Sequence, residues 1–119
     1  MRVQLGRIAP LLVLVAAGWT GIALLQSFAS ERVAKELAAQ AKPGDIVMLS
    51  SETCVYCKEA HRWLTEHGVA FGECFIERDP DCRAAFDKLQ SPGTPMLVVR
   101  GQRQVGFSAE RVAQVLRQG

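Results

Sequence analysis

Ile46-Val47-Met48-Leu49-Ser50-Ser51-Glu52-Thr53-Cys54-Val55-Tyr56-Cys57 is the stretch on which the reading of the chain turns. Ile46 to Ser50 is a short apolar run with β-branched members, the pattern of a buried strand. Ser51-Glu52-Thr53 reads as a loop. From Cys57 to His67 the pattern is helical, with Ala60, Trp63, Leu64 and His67 near one face, and Gly68 ends it. A C-x-x-C pair therefore stands where a strand hands over to a helix. That spacing puts Cys54 just outside the helix and Cys57 one turn inside it, with both sulfurs on one side. A helix N-terminus offers unpaired N–H groups and a partial positive charge, and both stabilise a thiolate. Cys54, nearer the end, is the expected nucleophile. Cys57 is the expected resolving thiol, which frees a mixed disulfide.

Other chemistries fit the same pair. It could be a structural disulfide, although a bridge between residues three apart staples little chain. It could hold a metal, with His61 four residues after Cys57, although zinc usually takes a second close pair and Cys74 and Cys82 have seven residues between them. It could be two inert buried cysteines. A module holding copper or zinc for delivery is the main rival to an exchange enzyme.

Downstream, Phe71 to Glu77 reads as a second strand. Asp79 caps a helix with Pro80 at its first position, running to about Leu89. Ser91-Pro92-Gly93 is a turn, and Met96 to Arg100 a third strand. Gly101-Gln102 makes a tight hairpin into a fourth strand ending near Gly106. Ser108 caps a last helix whose apolar face is Val112, Val115 and Leu116. The resulting α/β order joins the first two strands in parallel through a right-handed crossover and makes the final hairpin antiparallel. Thr94-Pro95, just before the third strand, is where a cis peptide bond can sit.

Upstream, Ile8 to Leu25 is an uncharged, mostly apolar run of 18 residues. As a helix it spans roughly 27 Å, close to a bilayer core. Residues 1–29 are read as a membrane anchor or a signal peptide, for which Ser27-Phe28-Ala29 offers a cleavage site. Arg2 and Arg7 precede the run and should stay in the cytoplasm, so that the rest is exported, as to a periplasm. Residues 30–43 form a short helix capped by Ser30 and a linker, with Val33, Leu37 and Ala41 on one stripe. Residues 44–119 form the folded domain. From Ser30 onward 12 Lys or Arg balance 12 Asp or Glu. This neutral domain lacks the basic footprint of a nucleic-acid binder.

From Gly44 to Gln118 the chain resembles a glutaredoxin. The likeness rests on Cys54-Val55-Tyr56-Cys57, close to the family's C-P-Y-C, on Thr94-Pro95, on Gly106-Phe107 before the last helix, and on the element order. It implies a thioredoxin-like four-stranded mixed sheet flanked by helices, and dithiol exchange with no tightly bound cofactor. It also implies that Pro95 is the cis-proline facing the cysteines, with the Thr94 backbone pairing an extended substrate. Tyr56, Thr94, Pro95, Gly106, Phe107 and Ser108 are then the substrate-binding residues. Glutathione is the family's common reductant. Here, however, Ser51 replaces the lysine three residues before the nucleophile, and Val105-Gly106-Phe107-Ser108 replaces G-G-x-D. Two charged glutathione contacts are thus missing, with Arg83 the remaining candidate cation, and a protein reductant is the alternative. The C-G-F-S of cluster-carrying relatives is not present.

Cys74 and Cys82 form a second pair, open to three uses: a disulfide clipping the strand to the helix, a relay receiving electrons from the first pair, or two separately buried residues. Glu52 and Lys58 flank the first pair with opposite charge. His61, His67 and Trp63 are read as helix-surface and packing residues. The expected partners are a disulfide-bearing protein or small thiol, and the membrane through the N-terminal helix. The domain itself is read as a monomer.

Overall fold

A computed structural model describes residues 5–119; Arg2, one of the two N-terminal cations, lies outside the described residues. The elements are α1 (Leu5–Gln40), β1 (Ile46–Ser50), α2 (Val55–Glu66), β2 (Gly72–Phe75), α3 (Pro80–Lys88), β3 (Met96–Val99), β4 (Gln102–Val105) and α4 (Ala109–Arg117). The chain divides into two compact units, Met1–Arg32 and Val33–Gly119.

In the first unit the large side chains from Ile8 to Phe28 are exposed on all sides of the helix, Trp19 at 77%. The helix is long and apolar enough to cross a membrane. Ser30 does not start a new helix. Its hydroxyl donates to the Ser27 carbonyl at 2.9 Å, inside an uninterrupted α1. The expected cap fails because nothing in Phe28-Ala29-Ser30 breaks the backbone ladder that reaches it.

The second unit is built on a sheet of order β2-β1-β3-β4. β1 and β2 are parallel, while β3 runs antiparallel to both β1 and β4. This is the four-stranded mixed sheet expected from the sequence. Strand alternation then decides which helix packs where. Ile46, Met48, Leu97 and Val99 join one core with Ala60 and Leu64 of α2, Val112 and Leu116 of α4, and Leu37 at the end of α1. Val47, Leu49, Met96 and Val98 face the other way and pack against Cys82, Phe86 and Leu89. Leu37, Leu64 and Met48 are fully buried. Each such side chain contributes about 1.5–3 kcal/mol.

Several boundaries differ from the sequence reading, each for a local reason. α2 begins at Val55, ahead of the apolar pattern that starts at Cys57, and Cys54 caps it from just outside, as the C-x-x-C spacing requires. β2 stops at Phe75, whose carbonyl accepts from both Arg78 N (3.1 Å) and Asp79 N (3.0 Å) and folds Ile76–Arg78 into a turn. β3 stops at Val99. The hairpin turns on Arg100 (φ 46°) and Gly101 (φ 82°), one residue earlier than expected. Two positive φ values suit a two-residue hairpin loop, and glycine takes the second without strain. Arg100 is held in its left-handed conformation by its amide on the Asp45 carbonyl (2.8 Å) and its guanidinium on the Leu116 carbonyl (2.9 Å).

Candidate active site

Cys54 is extended (φ −88°, ψ 111°) and caps α2 with its own side chain. Its sulfur accepts from the Cys57 amide at 3.1 Å, so an orphan donor of the helix end points at Sγ. The turn ahead of it is closed by Cys54 N on the Ser51 carbonyl at 3.2 Å. Cys54 and Cys57 are joined as a disulfide, their Cα atoms 5.2 Å apart. The two sulfurs differ in access: Cys57 is 2% exposed, while Cys54 is partly open.

Across from this helix end lies the Thr94-Pro95 peptide, which is cis. The Thr94 carbonyl oxygen is 3.5 Å from Cys54 Sγ. Pro95 is anchored through its carbonyl, which accepts from Gly106 N at 2.9 Å. Gly106 has φ 74°, a conformation open to glycine, and this lets the chain leave β4 toward α4. The hydrogen bond ties the two substrate-side segments expected from sequence, Thr94-Pro95 and Gly106-Phe107, into one wall.

A groove of about 610 Å³ opens along that wall, lined by Tyr56, Trp63, Thr94, Pro95, Gly106 and Phe107 among others. Among the described residues, its one charged lining residue is Glu59. Tyr56 is 73% exposed, free to meet a ligand. Trp63 does more than pack: it lines the groove, stacks on His67 (4.1 Å between ring centres) and meets Phe107 (5.3 Å). Ser108 stands apart from this lining. Its hydroxyl caps α4, accepting from Arg111 N at 3.4 Å and donating to Glu110 at 3.2 Å. Arg83 is likewise elsewhere, paired with Asp87 on α3 at 3.2 Å.

The loop before Cys54 is organised by Glu77. Its carboxylate accepts from the Ser51 hydroxyl and, at 3.2 Å, from Glu52 N. The Ser51 hydrogen bond is the main cause that holds Glu77 below the ordinary carboxylate range, helped by the Glu52 amide and Arg78. Glu52 is neutralised by an ion pair with Arg78. Behind Cys57 in sequence, His61 Nδ1 lies 3.1 Å from Glu73 Oε1. Glu73 was not singled out by the sequence reading; a carboxylate inside the apolar Gly72–Phe75 strand is the signal that marks it.

Cys74 and Cys82 are also joined as a disulfide, with Cα atoms 6.0 Å apart. They belong to the core under α3, on the sheet face opposite the one covered by α2. Among the described residues, no group of three or more His, Cys, Asp or Glu is placed to hold a metal ion.

Residues 46–104 match the glutaredoxin family. A glutaredoxin-like protein NrdH from Lactococcus lactis subsp. cremoris is 36% identical over 36 residues, which is 30% of this chain and 50% of that protein. The match thus spans half the length of that relative. Among solved structures, the thioredoxin-like protein BC3987 superposes with a TM-score of 0.52 at 25% identity, over 59% of this chain and 97% of that one. The glutaredoxin from Methanosarcina mazei Go1 shares the fold, with a TM-score of 0.51 at 24% identity over 61% and 78% of the two chains. With the C-x-x-C cap, the cis Thr94-Pro95 peptide and the β2-β1-β3-β4 sheet, these matches make residues 46–104 a glutaredoxin-like domain of the thioredoxin superfamily.

Proposed function

We propose that this glutaredoxin-like thiol–disulfide oxidoreductase works through Cys54 and Cys57 on disulfides of proteins, on the non-cytoplasmic side of a membrane to which its N-terminal helix tethers it. The observation that carries the reading is the Cys54 sulfur at the mouth of α2, with the Cys57 amide 3.1 Å away. Once reduced, a thiolate there keeps that donor and the helix dipole, the setting that brings thiol pKa values down to roughly 3.5–7.5.

The chemistry follows from access. The Cys54 thiolate attacks a substrate disulfide and forms a mixed disulfide, expelling one substrate thiolate. Cys57 then attacks Cys54 Sγ, the second substrate sulfur leaves, and the Cys54–Cys57 bridge is formed. The Thr94 backbone beside Cys54 supports an extended substrate strand, as strand addition does elsewhere.

Groove chemistry favours a polypeptide over glutathione. Glutathione brings two carboxylates, and among the described residues the groove meets them with Glu59 and no cation. Ser51, where a lysine would serve glutathione, is spent on Glu77. Tyr56, Trp63 and Phe107 instead suit an apolar side chain next to a substrate cysteine. The reductant is then a protein dithiol, and no tightly bound cofactor is required. For the side of the membrane, the support is the apolar α1 with Arg7 at its start and balanced charge after it.

A Cys57→Ser full chain in detergent, mixed with a disulfide-bearing protein, should accumulate an adduct at Cys54 by mass spectrometry. Titration of the wild type against glutathione should place the pair well above the −300 mV or so of structural bridges. No adduct, together with a potential far below that value, defeats the reading. In whole cells a membrane-impermeant thiol reagent should label reduced Cys54 from outside.

A further inference from the structure

A second cavity, of about 320 Å³, shares no lining residue with the groove. Cys57, His61, Glu73 and Phe75 line it, with Glu52, Lys58 and Arg78 at its charged rim. Its presence bears on a problem raised by burial. Cys57 is 2% exposed, so its thiol proton has little direct access to solvent. Yet Cys57 must lose that proton to resolve the mixed disulfide, and burial disfavours a thiolate. The base that takes it has to stand in the cavity into which Cys57 opens.

His61 is built for that position. It lies four residues after Cys57 on α2, which brings the two side chains to one face, a turn apart. Its Nδ1 is 3.1 Å from Glu73 Oε1, and the other oxygen of Glu73 accepts from the Ser50 hydroxyl at 2.9 Å. Ser50 is fully buried, so this chain of hydrogen bonds is anchored in the core. An ionised carboxylate only accepts. In the neutral imidazole Nδ1 therefore carries the hydrogen, and Nε2 keeps a free lone pair. Phe71 sets the ring edge-on, 5.4 Å between centres. Of the remaining charged groups, Glu52 and Arg78 neutralise each other and Lys58 has no acceptor.

We propose that His61, oriented by Glu73, is the general base for Cys57 in the resolving step. This rests on the exchange reading given above. Nε2 accepts the Cys57 S–H proton, directly or across one water. The sulfur's electron pair forms the bond to Cys54 Sγ, and the Cys54–substrate S–S bond breaks with its pair on the leaving sulfur. The imidazolium then returns its proton to that thiolate or to water. Glu73 is a positioning residue, acting through His61.

The test separates the two steps with Ellman's disulfide on the reduced full chain in detergent. Attack by Cys54 releases one thionitrobenzoate, and resolution by Cys57 releases a second. His61→Gln should slow the second release at least tenfold at neutral pH while leaving the first within twofold. The second release should depend on pH more steeply in H61Q than in the wild type, climbing to and beyond the free-thiol range near 8.5 because burial disfavours the Cys57 thiolate. Glu73→Gln should slow the same step less, and His67→Gln should change neither. Free imidazole should restore the second step in H61A, which a purely structural defect would not allow. An unchanged second release in H61Q, or no imidazole rescue, overturns the proposal while the exchange reading stands. Absence of the first release in wild type overturns the exchange reading itself.

Discussion

The amide of Cys57 points at the sulfur of Cys54 from 3.1 Å, while the Cys57 side chain itself is buried. One residue thus supplies the donor that stabilises the outer thiolate and the buried thiol that later displaces it. The division of labour predicts asymmetric mutants. Cys54→Ser should abolish exchange and fast alkylation at neutral pH. Cys57→Ser should keep fast alkylation at Cys54 and stall as a mixed disulfide. Reaction with iodoacetamide across pH reads both, and equal reactivity of the two single variants would contradict the assignment.

The groove predicts a substrate preference. Trp63 and Phe107 are in contact at 5.3 Å and present an apolar wall close to Thr94. Trp63→Ala should raise KM for a peptide disulfide with an aromatic neighbour about tenfold or more, since buried aromatic anchors carry most of such binding. The first-step rate with a small disulfide such as Ellman's reagent should change far less, because it does not need the wall. Equal losses on both substrates would mean that Trp63 acts only through packing.

Much of this was legible in the chain. The strand-to-helix position of C-x-x-C and the glycine and proline punctuation, Gly68, Asp79-Pro80 and Thr94-Pro95, gave the element order and both walls of the groove. What escaped depends on tertiary neighbours. Trp63 looks like core packing in a helical pattern, and only the approach of Phe107 makes it a wall. Ser108 carries the right chemistry for a ligand, but its hydroxyl is consumed by Arg111 N and Glu110. His61 is the exposed helix residue its pattern suggests, but its pairing with Glu73 of β2 shows only once the strand is brought beside α2. Arg100 gives no sequence signal for a left-handed turn; Asp45 and Leu116 impose it from outside the hairpin.

The second disulfide predicts a stability effect with little effect on exchange. Cys74 and Cys82 are separated by eight positions, and closing so small a loop is worth about 2.5 kcal/mol on chain entropy. The pair lies under α3, on the sheet face away from α2. A C74S/C82S double variant should therefore unfold several degrees lower while retaining the first-step rate of Cys54. Loss of turnover without loss of Tm would instead mark a relay role for this pair.

The acid limb of stability should be traceable to Asp45. Its carboxylate accepts from Lys42 N at 3.0 Å and from the Arg100 guanidinium at 3.3 Å, and these bonds, the Lys42 amide first, hold it below its ordinary value of 3.8. A carboxyl depressed by folding contributes stability that is fully present above the unfolded value and is lost as pH falls through the folded one. The relevant window is therefore below about pH 3.8. Asp45→Asn keeps an acceptor for the Lys42 amide but removes the charge facing Arg100. Its Tm should lie below the wild type's at neutral pH, and the gap should close as pH drops through that window. Glu77, also depressed, titrates in both proteins and cancels in the difference. A gap that stays constant down to pH 2 would show that the Asp45 charge contributes nothing to the Arg100 turn.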